Sequence, residues 1–193
     1  MAMAQDRYRN YTIIILLVAF SLFALWIRIL PLFTGGSTDI MTLVSSDDPL
    51  YNLRQIEQME RNFPLYNWFE VMTLFPTGEV IGWGPMFNWI TTIACMLAGA
   101  MTRETIIRIA LLVPPVMAAI MVPLVFLLVR KFSDWKSGIF SAGFIAVVAG
   151  QYFFRSLLGY LDHHIAEALF STLFSFAYIA TLLYMRDHPV DFK

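Results

Sequence analysis

Long apolar runs alternate along the chain with short polar breaks, and one polar stretch is much longer than the others. Residues 11–33 are almost continuously apolar. As an α-helix rising about 1.5 Å per residue, that run can cross a hydrocarbon core of about 30 Å. Further apolar runs cover residues 105–129, 137–154 and 165–185. Residues 34–84 are polar and aromatic, and Gly35, Gly36, Pro49, Pro64, Pro76, Gly78, Gly82 and Gly84 interrupt them, which is the pattern of a long structured loop. Inside that loop, Asp48-Pro49 reads as a helix start, with Asp48 as the cap and Pro49 at the first helical position. Leu50, Leu53, Ile56 and Met59 then recur every three residues beside Arg54, Glu57, Glu60 and Arg61, predicting a short amphipathic helix on the membrane surface.

Residues 85–101 sit at the lower length limit for a span and contain Asn88, Thr91 and Thr92. Positive charge decides how they are read. Cytoplasmic segments are enriched in Lys and Arg. If residues 85–101 lie along the outer surface, then Arg7 and Arg9, the turn bearing Arg130, Lys131 and Lys136, and the tail after Arg186 all fall inside. If they span, the basic turn falls outside. The first arrangement gives an all-α integral membrane protein with about four transmembrane helices and a long outer loop containing short surface helices. Its segments are a cytoplasmic tail (1–10), helices at 11–33, 105–130, 137–154 and 165–185, a first outer loop (34–104), a cytoplasmic turn (131–136), a second outer loop (155–164) and a cytoplasmic tail (186–193). Pro114, Pro115 and Pro123 predict a packing kink in the second span.

Composition agrees with this and narrows the function. The chain has 193 residues, 59% hydrophobic and only 14% charged. Soluble domains carry roughly 25% charged residues. The net charge of −1 gives no basic field for nucleic acid. Cys95 is the single cysteine, which excludes an internal disulfide and any multi-cysteine metal site. The first apolar run is too long for a cleaved signal peptide, whose apolar core is about 7–15 residues.

Against this apolar background, Arg155, Asp162, His163, His164 and Glu167 crowd between two membrane runs. At a bilayer centre an ionisable side chain costs about 2.5–3.5 kcal/mol on insertion scales, so such groups gather at interfaces or cavities and carry function. Asp162 and His164, two residues apart, can turn an oxygen and a nitrogen donor toward one divalent ion. Equally, Asp162 can cap the helix that begins near His164. Asp48 has the same two readings, metal ligand or cap. Glu167 fits a further ligand, a hydrogen-bond partner or a counter-charge to Arg155. Arg155 can pair with Asp162, receive an anionic substrate through its planar fork, or simply snorkel to the interface. His163 takes a secondary role if His164 is a ligand. The four-span topology puts Asp47, Asp48, Asp162, His163 and His164 on one outer face, with Asp47 as a solvated neighbour.

Read in order, Asp48-Pro49-Leu50-Tyr51-Asn52-Leu53-Arg54, Phe75-Pro76-Thr77-Gly78, Trp83-Gly84-Pro85-Met86-Phe87 and the stretch from Arg155 through Gly159-Tyr160 to Asp162-His163-His164 resemble the N-terminal part of the catalytic subunit of oligosaccharyltransferase. The archaeal AglB type, in the C class of membrane glycosyltransferases, is most similar. That resemblance implies Mn2+ or Mg2+ bound by Asp48, Asp162 and His164, with Asp48 and Arg155 serving catalysis. It implies transfer of an oligosaccharide from a dolichol phosphate or diphosphate carrier to asparagine in an Asn-x-Ser/Thr sequon of an acceptor polypeptide, outside the plasma membrane. His164, where many relatives carry aspartate, points to the archaeal variant. The resemblance further implies more helices, a later loop with a glutamate and a sequon-reading domain beyond Lys193, so this chain is expected to be part of a longer enzyme with little activity alone. The Asn10-Tyr11-Thr12 sequon is expected to stay unmodified because its position is cytoplasmic.

Three other classes fit less well. A membrane ion or metal transporter places its ionisable groups deep within several spans, whereas these gather at one surface. A zinc protease needs His-Glu-x-x-His, which His163-His164-Ile165-Ala166-Glu167 is not. A helical scaffold requires the acidic residues to be caps and nothing more.

Overall fold

The computed structural model describes residues 2–34, 40–45 and 47–188. Gly35-Gly36, Ser46 and parts of both expected tails, Met1 and residues 189–193, lie outside the described residues. The described residues within 1–28, 115–154 and 164–193 form one compact unit, and those within 29–114 and 155–163 form the other.

The first unit holds much of the apolar helical structure, although the stretch from Arg103 begins in the second unit. Helix α1 (Ala2–Ile29) is followed by the turn α2 (Pro31–Thr34), where Pro31 starts a new helical turn. Among the described residues three helical stretches are long and apolar enough to cross a membrane: Asp6–Thr34, Arg103–Val129 and His164–Asp187. The second stretch consists of α5 (Arg103–Ala110) and α6 (Val113–Val129), separated by a break at Leu111-Leu112 just before Pro114 and Pro115. Pro123 lies inside α6. The last is α9 (His164–Asp187).

The expected span at 137–154 takes a different form. Helix α7 (Trp135–Val147) starts two residues early, because the Asp134 side chain accepts from the Ser137 N–H at 2.9 Å and caps it. It stops at Val147, and a separate turn α8 (Gln151–Phe154) follows. The break begins where Val148 leaves helical geometry at φ −55° and ψ 125°, and two features accompany it. Gly150 takes φ 101°, and Arg28 Nη1 donates at 2.9 Å to the Ala146 carbonyl, occupying an acceptor that continued helix would need. Arg28 is fully buried, with its guanidinium also over the Tyr152 and Phe153 rings at 5.3 and 4.8 Å. Gly138, Ala142 and Ala146 form a small-residue stripe on α7, and a Cβ on Gly138 would come within 2.8 Å of the Phe126 ring. The core of this unit is Ala24, Val122, Phe126, Ala142 and Ala146, with Phe20 and Leu17 packed against it.

The second unit is built mainly from the segment expected to form the first outer loop, together with residues 155–163. After a 3-10 turn at Ile40–Leu43 come α3 (Asp48–Asn62), a two-stranded antiparallel pair β1 (Phe69–Glu70) and β2 (Glu79–Val80), α4 (Met86–Leu97) and then α5. Phe69 pairs with Val80 and Glu70 with Glu79. With 12 residues, α4 is too short to span. It packs against α3 and α5. The expectation that α3 rests its apolar face on a membrane is corrected. Leu53, Ile56 and Met59 are buried within the protein, along with the polar Asn52 and Gln55, while Leu50 is exposed. Arg103 ties α5 to Glu57 of α3 at 2.9 Å, and the Cys95 thiol of α4 meets the Ile106 carbonyl at 3.7 Å.

Candidate functional site

The two acidic motifs meet within the second unit. Helix α3 begins at Asp48 with Pro49 next, but the cap position belongs to Asp47, at φ 65° and ψ −118°, and no side chain caps the helix. The expectation that Asp48 serves as the cap is thus corrected. Its carboxylate is directed at Arg155 instead, with Oδ2 3.6 Å from Nη1. The same nitrogen donates to Asp162 Oδ2 at 2.5 Å. The separation of the two carboxylate oxygens therefore cannot exceed the sum of these two distances. Asp162 is fully buried, whereas the Asp48 side chain is 55% exposed.

A buried carboxylate needs a charge partner and hydrogen bonds to remain ionised. Arg155 supplies both to Asp162. Burial disfavours the Arg155 charge, but the Asp162 hydrogen bond and the charge interactions with Asp162, Tyr160 and Asp48 outweigh it and raise its pKa. Its guanidinium also lies 5.4 Å from the Tyr160 ring centroid. Of the readings open for Arg155, pairing with Asp162 is the one observed.

Asp162 has a second neighbour, since its Oδ1 is 3.0 Å from His163 Nδ1, an ion pair when the imidazole is protonated. The His163 ring stacks on Trp83 at 5.9 Å with 6° between planes, and Trp83 meets Tyr51 of α3 edge-on at 5.3 Å. Contacts thus run in a closed ring, from α3 through Trp83, His163, Asp162 and Arg155 back to Asp48. Burial pushes the Tyr51 hydroxyl upward in pKa, helped by Tyr66, Glu70 and Glu79 and opposed by Arg54, so it stays protonated.

Two further tethers hold the Asp162 segment, one to α3 and one to the residues just before it. The Asn52 amide donates to the Leu161 carbonyl at 3.2 Å, and the Ser45 N–H donates to the Gly159 carbonyl at 3.0 Å. Gly159 adopts φ 104°, and a Cβ there would lie 2.2 Å from the Leu43 carbonyl oxygen. Only glycine fits that approach.

His164 is the first residue of α9 in the first unit, and its Nδ1 lies 2.8 Å from Glu167 Oε2 one turn later. Among the open readings of Glu167, the hydrogen-bond partner is the one observed. Along the consecutive residues Asp162, His163 and His164, each offers one ligand atom, and these lie within 4.8 Å of one another. One hard carboxylate oxygen and two imidazole nitrogens form a donor set that suits a divalent first-row metal.

A sequence model described as the N-terminal part of oligosaccharyl transferase STT3 matches residues 11–184. The chain belongs to this family. It is 32% identical over 165 residues to dolichyl-phosphooligosaccharide-protein glycotransferase 3 of Archaeoglobus fulgidus, a match covering 86% of this chain and 19% of that protein. Among solved structures, it resembles the A. fulgidus oligosaccharyltransferase AglB in complex with an inhibitory peptide and a dolichol-phosphate, with TM-score 0.85 and 29% identity over 95% of this chain and 21% of that one. The A. fulgidus oligosaccharyltransferase solved as a complex with Zn and sulfate matches at TM-score 0.75 and 31% identity, over 81% of this chain and 20% of that one. The chain thus spans about one fifth of the length of these relatives.

For this family member, reading the sequence missed three contributors. Trp83 entered only as part of a motif, although it supports His163. Asn52 likewise stands only inside the Asp48–Arg54 motif, with no pattern of its own to mark it. Glu70, 1% exposed, holds Arg54 Nη2 at 3.0 Å, Gln55 Nε2 at 2.9 Å and the Met72 N–H at 3.1 Å, organising the hairpin against α3. A glutamate amid Trp68, Phe69, Val71 and Met72 was the available signal.

Proposed function

We propose that this chain forms the N-terminal membrane part of an oligosaccharyltransferase catalytic subunit. In this reading it serves protein N-glycosylation, transferring an oligosaccharide from a dolichol phosphate or diphosphate carrier to asparagine in an Asn-x-Ser/Thr sequon. Asp48, Asp162 and His164 hold Mn2+ or Mg2+. The site faces the extracytoplasmic side of the plasma membrane, the side opposite the basic segments. The observation that carries the reading is the convergence of Asp48 and Asp162 on Arg155, because it brings the acidic residues of two separate family motifs into one place. Family membership, and the inhibitory peptide and dolichol-phosphate bound by the A. fulgidus relative, support a peptide and a lipid-linked phosphate as partners here.

The site must make a weakly nucleophilic amide attack a sugar carbon and must stabilise charge on a departing phosphate. Asp48, exposed enough to be reached, accepts hydrogen bonds from the acceptor amide and orients its nitrogen. Arg155, with its donors arrayed in a plane, keeps the two carboxylates in register and gives positive charge near the leaving phosphate. Asp162, buried and held on one oxygen by Arg155, is oriented before substrate arrives. With Nδ1–H donated to Glu167, His164 carries its lone pair on Nε2, the tautomer suited to a metal ligand. When bound, the metal supplies Lewis-acid stabilisation to the leaving phosphate.

The reading is tested by Mn2+ binding to the purified chain in detergent, followed by electron paramagnetic resonance, in the parent and in Asp48→Ala, Asp162→Ala and His164→Ala. Each variant is expected to weaken binding at least tenfold while the protein remains helical. Unchanged affinity in all three would remove the shared metal from this proposal.

A further inference from the structure

Asp48 and Asp162 sit on elements far apart in sequence, so something must set their spacing. Arg155 does so through charge. The Asn52 side chain offers a second and independent constraint, one helical turn after Asp48 on α3. It is 2% exposed, and its Nδ2 donates at 3.2 Å to the carbonyl of Leu161, itself fully buried and bonded directly to Asp162. The Asp162 N–H in turn donates to the Tyr160 carbonyl at 2.9 Å, a tight turn that leaves the backbone from Tyr160 to Asp162 little freedom.

We infer that Asn52 is a positioning residue, whose amide fixes the register of the 155–163 segment against α3 and thereby the placement of Asp162 relative to Asp48. The Asn52 amide oxygen is buried with no hydrogen-bond partner. A residue kept for stability alone gains little from such an arrangement, because an orphaned buried acceptor offsets much of what one long hydrogen bond contributes. An isosteric leucine removes the orphan and the tether together and adds apolar burial. Stability and geometry therefore respond differently to Asn52→Leu. The metal arm of the test rests on the proposed site, and the exchange arm does not.

The experiment compares the parent, Asn52→Leu and Asn52→Ala in detergent, measuring melting temperature, Mn2+ affinity by electron paramagnetic resonance, and hydrogen–deuterium exchange of peptides covering residues 155–163 and α3. The expected result for Asn52→Leu is a melting temperature within a few degrees of the parent, Mn2+ affinity about tenfold weaker and faster exchange confined to residues 155–163. Asn52→Ala, which fills less space, is expected to show the same local loss of protection. Unchanged exchange in 155–163, or equal loosening of α3 and 155–163 in both variants, would overturn the inference. If the parent binds no Mn2+, the proposed metal site fails, and the exchange measurement alone decides the role of Asn52.

Discussion

Asp48 and Asp162, from two motifs distant in sequence, approach the same guanidinium nitrogen of Arg155, at 3.6 and 2.5 Å. The two contacts are unequal in environment. Asp162 is wholly buried, while the Asp48 side chain is 55% exposed. That inequality predicts different costs for breaking the arrangement at each end.

Arg155→Ala leaves Asp162 buried without its main charge partner and is expected to cost about 3 kcal/mol of stability. Asp48→Ala removes only an exposed partner, and its expected cost is below about 1 kcal/mol. Thermal melting of both variants in one detergent checks this. Equal melting temperatures would show that Arg155 contributes little to holding Asp162.

Gly159 and Gly99 both have positive φ, 104° and 67°, yet only Gly159 faces an obstruction, the Leu43 carbonyl oxygen. Gly99→Ala meets backbone strain alone, costing about 1 kcal/mol. Gly159→Ala adds a collision with backbone and is expected to cost about 2–3 kcal/mol and weaken Mn2+ binding as Asp162 shifts. The comparison is read by melting temperature and by Mn2+ titration of the two variants side by side.

Glu70 satisfies three donors from a buried position, so Glu70→Ala orphans the Gln55 amide and the Met72 N–H and frees Arg54. A loss of about 2–3 kcal/mol is expected, with Glu70→Gln, which keeps the shape and one acceptor, costing about half as much. Limited proteolysis between Pro64 and Gly82 should accelerate in the same order. A proteolysis rate unaffected by Glu70→Ala would show that the hairpin is held by other contacts.

Cys95 is fully buried, and burial, with Glu60 adding to it, pushes its thiol up to about 11. At pH 8 the thiolate fraction is then lower than that of an ordinary cysteine by about two orders of magnitude. Iodoacetamide labelling of the folded chain is expected to be at least a hundredfold slower, by about that factor, than labelling after denaturation. Comparable rates would mean that the α4–α5 contact opens readily.

Much of the architecture follows from local pattern. The apolar run ending near Phe33 and the one starting at Ile165 are long enough that only a membrane or a large core could bury them, and both are helices in the structure. Asp48-Pro49 marked a helix start because proline fixes φ and needs no donor there, and the helix begins within one residue of it. The clustering of Asp162, His163 and His164 as candidate donors was legible from residue type and spacing, since ionisable groups beside apolar helices carry a high desolvation cost.

Only the tertiary structure decided the rest, and the reason is that these choices depend on partners distant in sequence. Residues 137–154 do not run as one helix, and the break lies where Arg28, more than a hundred positions earlier, takes the Ala146 carbonyl. Whether α3 met lipid or protein turned on α4 and α5 arriving to cover Leu53, Ile56 and Met59. Whether Asp48 capped a helix or joined Asp162 turned on Arg155 lying between them, and a periodicity of three or four residues holds no information about such an encounter.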